Sequence, residues 1–394
     1  MKVNNRWNKT KLKFLAKMQM GPTILKKDLS EGGIPVFSAG NQEQKWGYIN
    51  KNVKQFPRGV LVVSARGTIG VPKLPQDEVF TCTQTTIAIS ADDSLDVKYL
   101  YYFILSVRWN DIVSGVAIPM LTIAILGEID IILPPLEEQK RIVETLDSIL
   151  PKVRQLKTRF EKIPILLKKF RQSVLSAAFI GQLTEDWRRS ADFVYQRRKI
   201  ADLVESIKYG TSAKCTREPT GIPILRIPNV QSGYINPTDL KYAELNDKDK
   251  SGLKLSEGDL LLVRSNGSVD LVGRTAIVRS EDTNYGYAGY LMRLRLKKDI
   301  VYPGFLNLYF QSYDMRLQIE LPARSTTGVH NINSKEVMNL ELNLPCFAEQ
   351  QEIVKIVTKL FGLLDYCEKK CKNALSFIDK IEQSILSNVF NGNF

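Results

Sequence analysis

Apolar residues recur in alternating steps of four and three over two stretches of the chain. One runs through Ile142, Leu146, Ile149, Val153, Leu156, Phe160, Ile163, Leu167, Phe170 and Val174. The other runs through Ile353, Val357, Leu360, Leu364, Cys367, Cys371, Ala374, Ile378, Ile381 and Ile385. This spacing lays one apolar stripe along a helix and predicts packing against a second helix. Pro151 and Gly362 stand at matched places and predict a short helix, a bend and a long helix in each stretch. Pro164 predicts a further kink in the first. The segments 1–132 and 197–343 read differently. Short strand-like runs, such as 59–64, 85–89, 259–263 and 291–296, are separated by turn residues.

The two helical stretches are copies. Leu133-Pro134-Pro135-Leu136-Glu137-Glu138-Gln139 returns as Leu344-Pro345-Cys346-Phe347-Ala348-Glu349-Gln350. Gln172-Ser173-Val174-Leu175-Ser176, followed by Phe179 and Gly181, returns as Gln383-Ser384-Ile385-Leu386-Ser387, followed by Phe390 and Gly392. Both matches fall at one offset and need no gap, so the intervening residues are equivalent too. Weaker echoes link the mixed segments: Gly33-Ile34-Pro35-Val36 with Gly221-Ile222-Pro223-Ile224, and Gly47-Tyr48-Ile49 with Gly233-Tyr234-Ile235. The order is variable, constant, variable, constant: 1–132, 133–196, 197–343 and 344–394.

Composition narrows the chemistry. The 394 residues suit two or three domains. Lys and Arg number 55 against 42 Asp and Glu, a net +13 that suits a polyanionic partner. The basic run from Arg188-Arg189 to Arg197-Arg198-Lys199 is the densest patch, either a solvated junction or a set of phosphate contacts. Five cysteines fit a reducing cytoplasm and suggest no disulfide framework. Cys367 and Cys371 fall on the apolar stripe and read as core rather than half a metal site. The 16-residue uncharged run from Ile112 to Gly127 contains Gly115 and Pro119 and reads as core plus loop, not as a membrane span. A single histidine, His330, precludes a multi-histidine metal centre. No phosphate-binding loop and no C-x-x-C motif occurs.

With the Leu-Pro helix openings, their echo and the variable–constant order in view, the chain resembles the DNA-specificity subunits of type I restriction–modification enzymes. Cys346 and Ala348 depart from the Pro-Pro-Leu-Glu pattern in the second copy. The resemblance implies a mixed α/β fold. Two globular target-recognition domains, 1–132 and 197–343, would be separated by two long antiparallel coiled-coil spacers, 133–196 and 344–394, in a pseudo-two-fold frame. Each domain would read one half of an asymmetric, bipartite site in double-stranded DNA. The spacers would bind two modification subunits, which use S-adenosylmethionine to methylate adenine. Restriction subunits would add ATP- and Mg-dependent translocation and cleavage. The chain itself would be a non-catalytic, cytoplasmic protein without a membrane partner.

Candidate DNA contacts follow from residue chemistry. Arginine suits guanine, and asparagine and glutamine suit adenine. Arg66 and Thr68 lie in a small-residue loop after a strand, and Arg264, Asn266 and Arg274 form the matching group. Gln42 and Lys45 lie in a polar loop beside Trp46, which is expected to be packed. Arg324, Thr326 and His330 lie in a third loop, where His330 is a DNA-facing group or a surface histidine. Leu133, Pro134, Glu138, Gln139, Leu344, Pro345, Glu349 and Gln350 are the candidate partner surface, because exposed polar types repeat there. Two alternatives remain at this stage: a stand-alone nuclease, which needs a carboxylate–metal cluster, and a coiled-coil scaffold that does not bind DNA.

Overall fold

A computed structural model describes residues 7–40, 44–113, 120–188, 195–231, 233–321 and 329–390. The chain divides into two compact units: Met1–Lys162 with Cys371–Phe394, and Ile163–Lys370. The division cuts across the sequence segments. Each unit contains one mixed α/β region, the start of one long helix and the end of the other.

The mixed regions are built alike. In the first unit a four-stranded antiparallel sheet has the order Ala16–Met20, Thr86–Ala91, Leu61–Ser64, Pro72–Lys73. In the second the order is Val204–Tyr209, Leu291–Leu296, Leu260–Val263, Thr275–Ile277. A smaller sheet accompanies each. Ile34–Phe37 pairs parallel with Val79–Cys82 and antiparallel with Gly47–Ile49. Its counterpart Ile222–Leu225 pairs parallel with Gly286–Tyr287 and antiparallel with Lys241–Ala243.

Strand alternation explains why the central runs are apolar at every position. Leu61 and Val63 join a cluster with the helix residues Tyr99 and Leu100, whereas Val62 joins Phe37 and Phe80 of the smaller sheet. Leu260 and Leu262 likewise pack with Phe305 and Leu306, and Leu261 and Val263 with Leu225. Glycine is required where the edge strand ends. A Cβ on Gly21 would lie 2.3 Å from the Thr83 carbonyl oxygen, and one on Gly210 would lie 2.3 Å from that of Ala288.

The helices Leu136–Phe179 and Phe347–Phe390 each contain 44 residues. At 1.5 Å per residue each is roughly 66 Å long. Neither breaks at Pro151 or Gly362, so the expected bend is absent. Pro151 and Gly362 are exposed, where neither displaces packing. Pro164 does not interrupt its helix either. A proline leaves the carbonyl four residues earlier without its helical donor. Here that carbonyl, on Phe160, accepts a hydrogen bond from the buried Cys371 thiol at 3.3 Å. Cys371 is thus a seam residue, whereas Cys367 is exposed.

The helices pair antiparallel within each unit. Arg154 meets Glu382 at 2.9 Å and Lys157 meets Asp379 at 2.8 Å in the first unit, and Arg171 meets Asp365 in the second. Every one of these pairs places the cation on the first helix and the carboxylate on the second. Val153, Phe160 and Leu167 are half-buried, and Leu364, Cys371 and Ile378 are buried. Leu156 and Phe170, both expected in the seam, are 48% and 50% exposed. A 3.5-residue repeat drifts on a 3.6-residue helix, and a two-helix seam has no third element to cover its edge. Each helix ends on a mixed region. Phe390 packs on Tyr99 and Phe103, and Phe179 on Phe305 and Tyr309.

Of the uncharged run, Leu121 and Leu126 are core and 114–119 lie outside the described residues. No helix among the described residues is long and apolar enough to cross a membrane.

Candidate nucleic-acid interface

Backbone hydrogen bonds give an internal alignment of the two units that residue identity does not. The Ala65 N–H donates to the Thr85 carbonyl, and the Ala65 carbonyl accepts from Leu121 N–H, both at 2.8 Å. Arg264 makes the same pair of bonds, to Tyr290 at 2.9 Å and from Ile332 at 2.8 Å. Gly70 donates to the Ser64 carbonyl as Gly273 donates to that of Val263, and both glycines have positive φ, 73° and 79°. Arg264 therefore occupies the place of Ala65, Ser265 that of Arg66, and Arg274 that of Val71. The sequence match of Arg66 with the Arg264 group is corrected accordingly. The loop closed by Gly273 is longer than that closed by Gly70, so side-chain spacing could not give the register.

In the first unit Arg66 stands exposed at the head of its loop, with its backbone bridged to Met120. It makes no ion pair among the described residues. Thr68 is half-buried, with its hydroxyl oxygen unpartnered among them. Lys45 is committed elsewhere: it pairs with Asp77 at 2.6 Å and lies 5.5 Å from the Tyr48 ring centre. The hydrogen bond from Lys45 to Asp77 raises the ammonium above its ordinary value. Trp46, expected to be packed, is 39% exposed. Gln42 lies outside the described residues. A cluster of hydroxyls surrounds the Thr85 residue whose carbonyl holds Ala65. The Ser38 and Thr83 hydroxyls lie 3.0 Å apart, and those of Thr83 and Thr85 2.7 Å apart. Lys73 is buried beneath and donates to the Ser38 carbonyl, and burial pushes its ammonium below the ordinary value.

In the second unit the same place is cationic. The Arg264 guanidinium lies 4.8 Å from the Tyr209 ring centre and donates to the Gly289 carbonyl at 3.3 Å. Arg226 donates to Asp239 at 3.0 Å. The Nε atoms of both arginines are buried without a partner among the described residues. Both line a cavity of about 850 Å³ together with Lys241. Asn266 accepts from the Ser268 N–H at 2.9 Å and pairs through its backbone with His330. Arg274 shares a smaller cavity of about 380 Å³ with Asn266. Burial and then the nearby Arg316 lower its guanidinium below the ordinary value. Arg324 and Thr326 lie outside the described residues. Sequence reading missed Tyr209, Arg226, Lys241 and Tyr290, each at or just beyond a strand end, because only sheet register brings them to Arg264.

The Leu-Pro helix openings are not the exposed surface expected of them. Gln139 is fully buried. Its amide donates to the Ser94 and Pro134 carbonyls at 2.9 and 2.8 Å, and its oxygen accepts from Asp96 N–H at 2.8 Å. Gln350 repeats this with the Ile300 and Pro345 carbonyls and Tyr302 N–H at 3.1, 3.0 and 2.7 Å. Each glutamine fastens a long helix to the first turn of a domain helix. The repetition therefore has a folding cause, namely satisfaction of buried backbone groups.

The matched glutamates differ. Glu138 is partly exposed and pairs with Arg141 at 2.7 Å. Glu349 is fully buried and takes Thr184 at 2.6 Å, Tyr195 at 3.0 Å and Arg188 at 3.3 Å. Pro134, Leu344 and Pro345 are buried and Leu133 is half-buried. Within the basic run, Arg188 is thus held by Glu349, and Arg197 hydrogen-bonds Glu341 at 2.6 Å. Residues 189–194 lie outside the described set. Among the described residues no group of three or more His, Cys, Asp or Glu could hold a metal ion.

Comparison with known proteins supplies independent findings. The profile of the family described as "Type I restriction modification DNA specificity domain" matches twice, at residues 4–164 and 194–376. The chain is 35% identical over 267 residues to the type I restriction enzyme EcoKI specificity subunit of Escherichia coli strain K12, covering 67% of this chain but 57% of that protein. It is 28% identical over 353 residues to the StySPI specificity subunit of Salmonella potsdam, covering 87% of this chain and 76% of that protein. Two solved structures share the fold. One, from work on complex assembly and conformational transition of the type I R-M system, has a TM-score of 0.77 at 18% identity over 99% of both chains. The other, the HsdS subunit from Thermoanaerobacter tengcongensis, has a TM-score of 0.61 at 16% identity, covering 100% of this chain and 99% of that one.

Proposed function

The chain belongs to the type I restriction–modification DNA specificity family, and from that premise we propose that it selects the DNA sequence on which a multi-subunit restriction–modification assembly acts. It is a recognition subunit and carries no catalysis of its own. Each mixed region reads one half of an asymmetric, bipartite site in double-stranded DNA. Two modification subunits, using S-adenosylmethionine, methylate adenine at the site. Restriction subunits, using ATP and magnesium, translocate and cleave. The assembly works in the cytoplasm.

One observation carries this reading. The units share the backbone bonds that frame the end of the central strand, yet differ in which frame positions hold cations: Ala65 against Arg264, Arg66 against Ser265, Val71 against Arg274. A constant scaffold with unlike side chains at one rim is what two readers of different half-sites require. Base edges are read by side chains, whereas phosphates only position the protein. Arg66, exposed and unpaired among the described residues, is the base-reading candidate of the first unit. For the partner subunits, the exposed apolar residues of the long helices, Leu166, Phe170, Leu363 and Phe377 among them, offer docking area.

The test is an exchange of residues 1–132 for those of another family member, in cells carrying the partner subunits. Mapping of methylated adenines is expected to show one half of the site replaced and the other kept. Both halves changing, or neither, overturns the division of labour.

A further inference from the structure

Arg264 combines properties unsuited to a base reader. Its guanidinium is stacked against Tyr209 and tethered to the Gly289 carbonyl, and its Nε is buried. It is therefore held back within a concavity rather than projected from the surface. Base edges lie at the floor of a groove about 8.5 Å deep, so a reader must protrude to reach them. A recessed arginine meets only what the duplex itself projects, and phosphates are the outermost groups.

The surroundings agree with a phosphate. Arg226 and Lys241 line the same cavity, as do Thr211 and Ser212, and Tyr290, 63% exposed, stands among its lining residues. Among the described residues no carboxylate lines it. Asp239 holds Arg226 through one amino group and leaves its buried Nε unpartnered among the described residues. Arg264, Lys241 and Arg226, the last already paired with Asp239, leave the concave wall with a net positive charge that attracts a phosphodiester. In the first unit the Arg264 place is Ala65, the Arg226 place Ser38 and the Lys241 place Gly47, so among the described residues none of the three cations has a charged counterpart there.

We propose that this cavity is a phosphate clamp for one DNA strand, and that Arg264 sets affinity and not sequence preference. The proposal rests on the reading that the chain binds duplex DNA. It assigns the two units different means of holding DNA: the first through protruding groups, the second through a socket.

The experiment uses the assembled complex of full-length chain and modification subunits. Binding is measured across a salt series to a duplex carrying the mapped methylation site and to a scrambled duplex. Arg264→Gln is expected to weaken both duplexes alike, by about tenfold or more. It should lower the salt slope by about 1 and leave the mapped site unchanged. Arg264→Lys, which keeps the charge, should recover most of the slope. Relaxed discrimination at one base position, with affinity for the scrambled duplex intact, would make Arg264 a base reader and overturn the clamp. Unchanged binding of both duplexes would overturn it too. Should Arg264→Gln fail to fold, Lys241→Gln on the half-exposed cavity wall decides by the same two criteria. Wild-type complex that binds neither duplex in a salt-dependent way refutes the DNA reading itself, an outcome separate from the variant results.

Discussion

In the first unit the strand Leu61–Ser64 runs out into Ala65, a hydroxyl-lined surface and an exposed Arg66. In the second unit the equivalent strand Leu260–Val263 runs out into Arg264, sunk beside Tyr209 and Arg226. The backbone bonds that frame the strand end itself are shared. Main-chain bonds constrain where the Cα–Cβ bonds start but leave the side chain open, so a shift of one residue in where an arginine stands turns a projecting cation into a recessed one. The helix openings show the same contrast. Gln139 and Gln350 do one job with equivalent partners, whereas Glu138 is a surface residue and Glu349 a buried one.

The sharpest break of that likeness is expected at the glutamates. Glu349→Ala leaves Arg188, whose side chain is only 23% exposed, without its carboxylate. Removing one partner of such a buried pair costs about 3–5 kcal/mol. Glu138→Ala removes an exposed pair worth at most about 1 kcal/mol. Urea denaturation of the two variants measures the difference, and equal losses would mean that the buried cluster adds nothing.

The glutamines should instead respond alike. Gln139→Ala and Gln350→Ala each strand two carbonyls and one N–H in the interior. Each should cost about 2–3 kcal/mol by the same measurement. A cost confined to one unit would show that the matched geometry hides unequal packing.

Arg66→Ala sharpens the comparison on the DNA side. Loss of a bidentate base contact should cost roughly 1–3 kcal/mol of discrimination at one position of one half-site. Methylation mapping reads this directly. An unaltered map with uniformly weaker binding would place Arg66 on a phosphate and make the units alike after all.

The smallest effect concerns acid. Burial pushes the Asp147 carboxyl up, but hydrogen bonds from Tyr102 at 2.5 Å and Lys98 at 2.9 Å outweigh it and hold the group below its ordinary 3.8. Its folded value lies below its unfolded one, so its contribution is present above about 3.8 and is lost as pH falls through the folded value. Asp147→Asn should lower stability at neutral pH, leave it little changed below the folded value, and so flatten the acid limb of the stability profile. An acid limb of unchanged steepness would remove Asp147 from the account.

Much of this architecture was legible in the residues. The repeated Leu-Pro openings and apolar steps of four and three announce two equivalent helices. Helical periodicity relates residues only three or four apart, which makes it a local signal. The strand runs announce themselves the same way. The charge bias of the first spacer, 14 basic against 8 acidic over 136–198, agrees with the cations it presents to the second helix. Local signals misled at Pro151, Pro164 and Gly362, because they describe what a residue disfavours in isolation. They did not show that Cys371 would cap the carbonyl freed at Phe160, which is 211 residues away in the chain.

The sequence by itself determined the repeat, the order of regions and the two helices, all of which rest on neighbours along the chain. Tertiary structure alone decided which polar groups are buried and which cations converge. Gln139 reads as a surface residue until Ser94 and Asp96 are folded against it. Tyr209, Arg226, Arg264 and Tyr290 come from separate strands and their ends, and meet only through sheet register. Register is set by pairings between segments far apart in sequence, and a slip of one residue reverses which face every side chain takes.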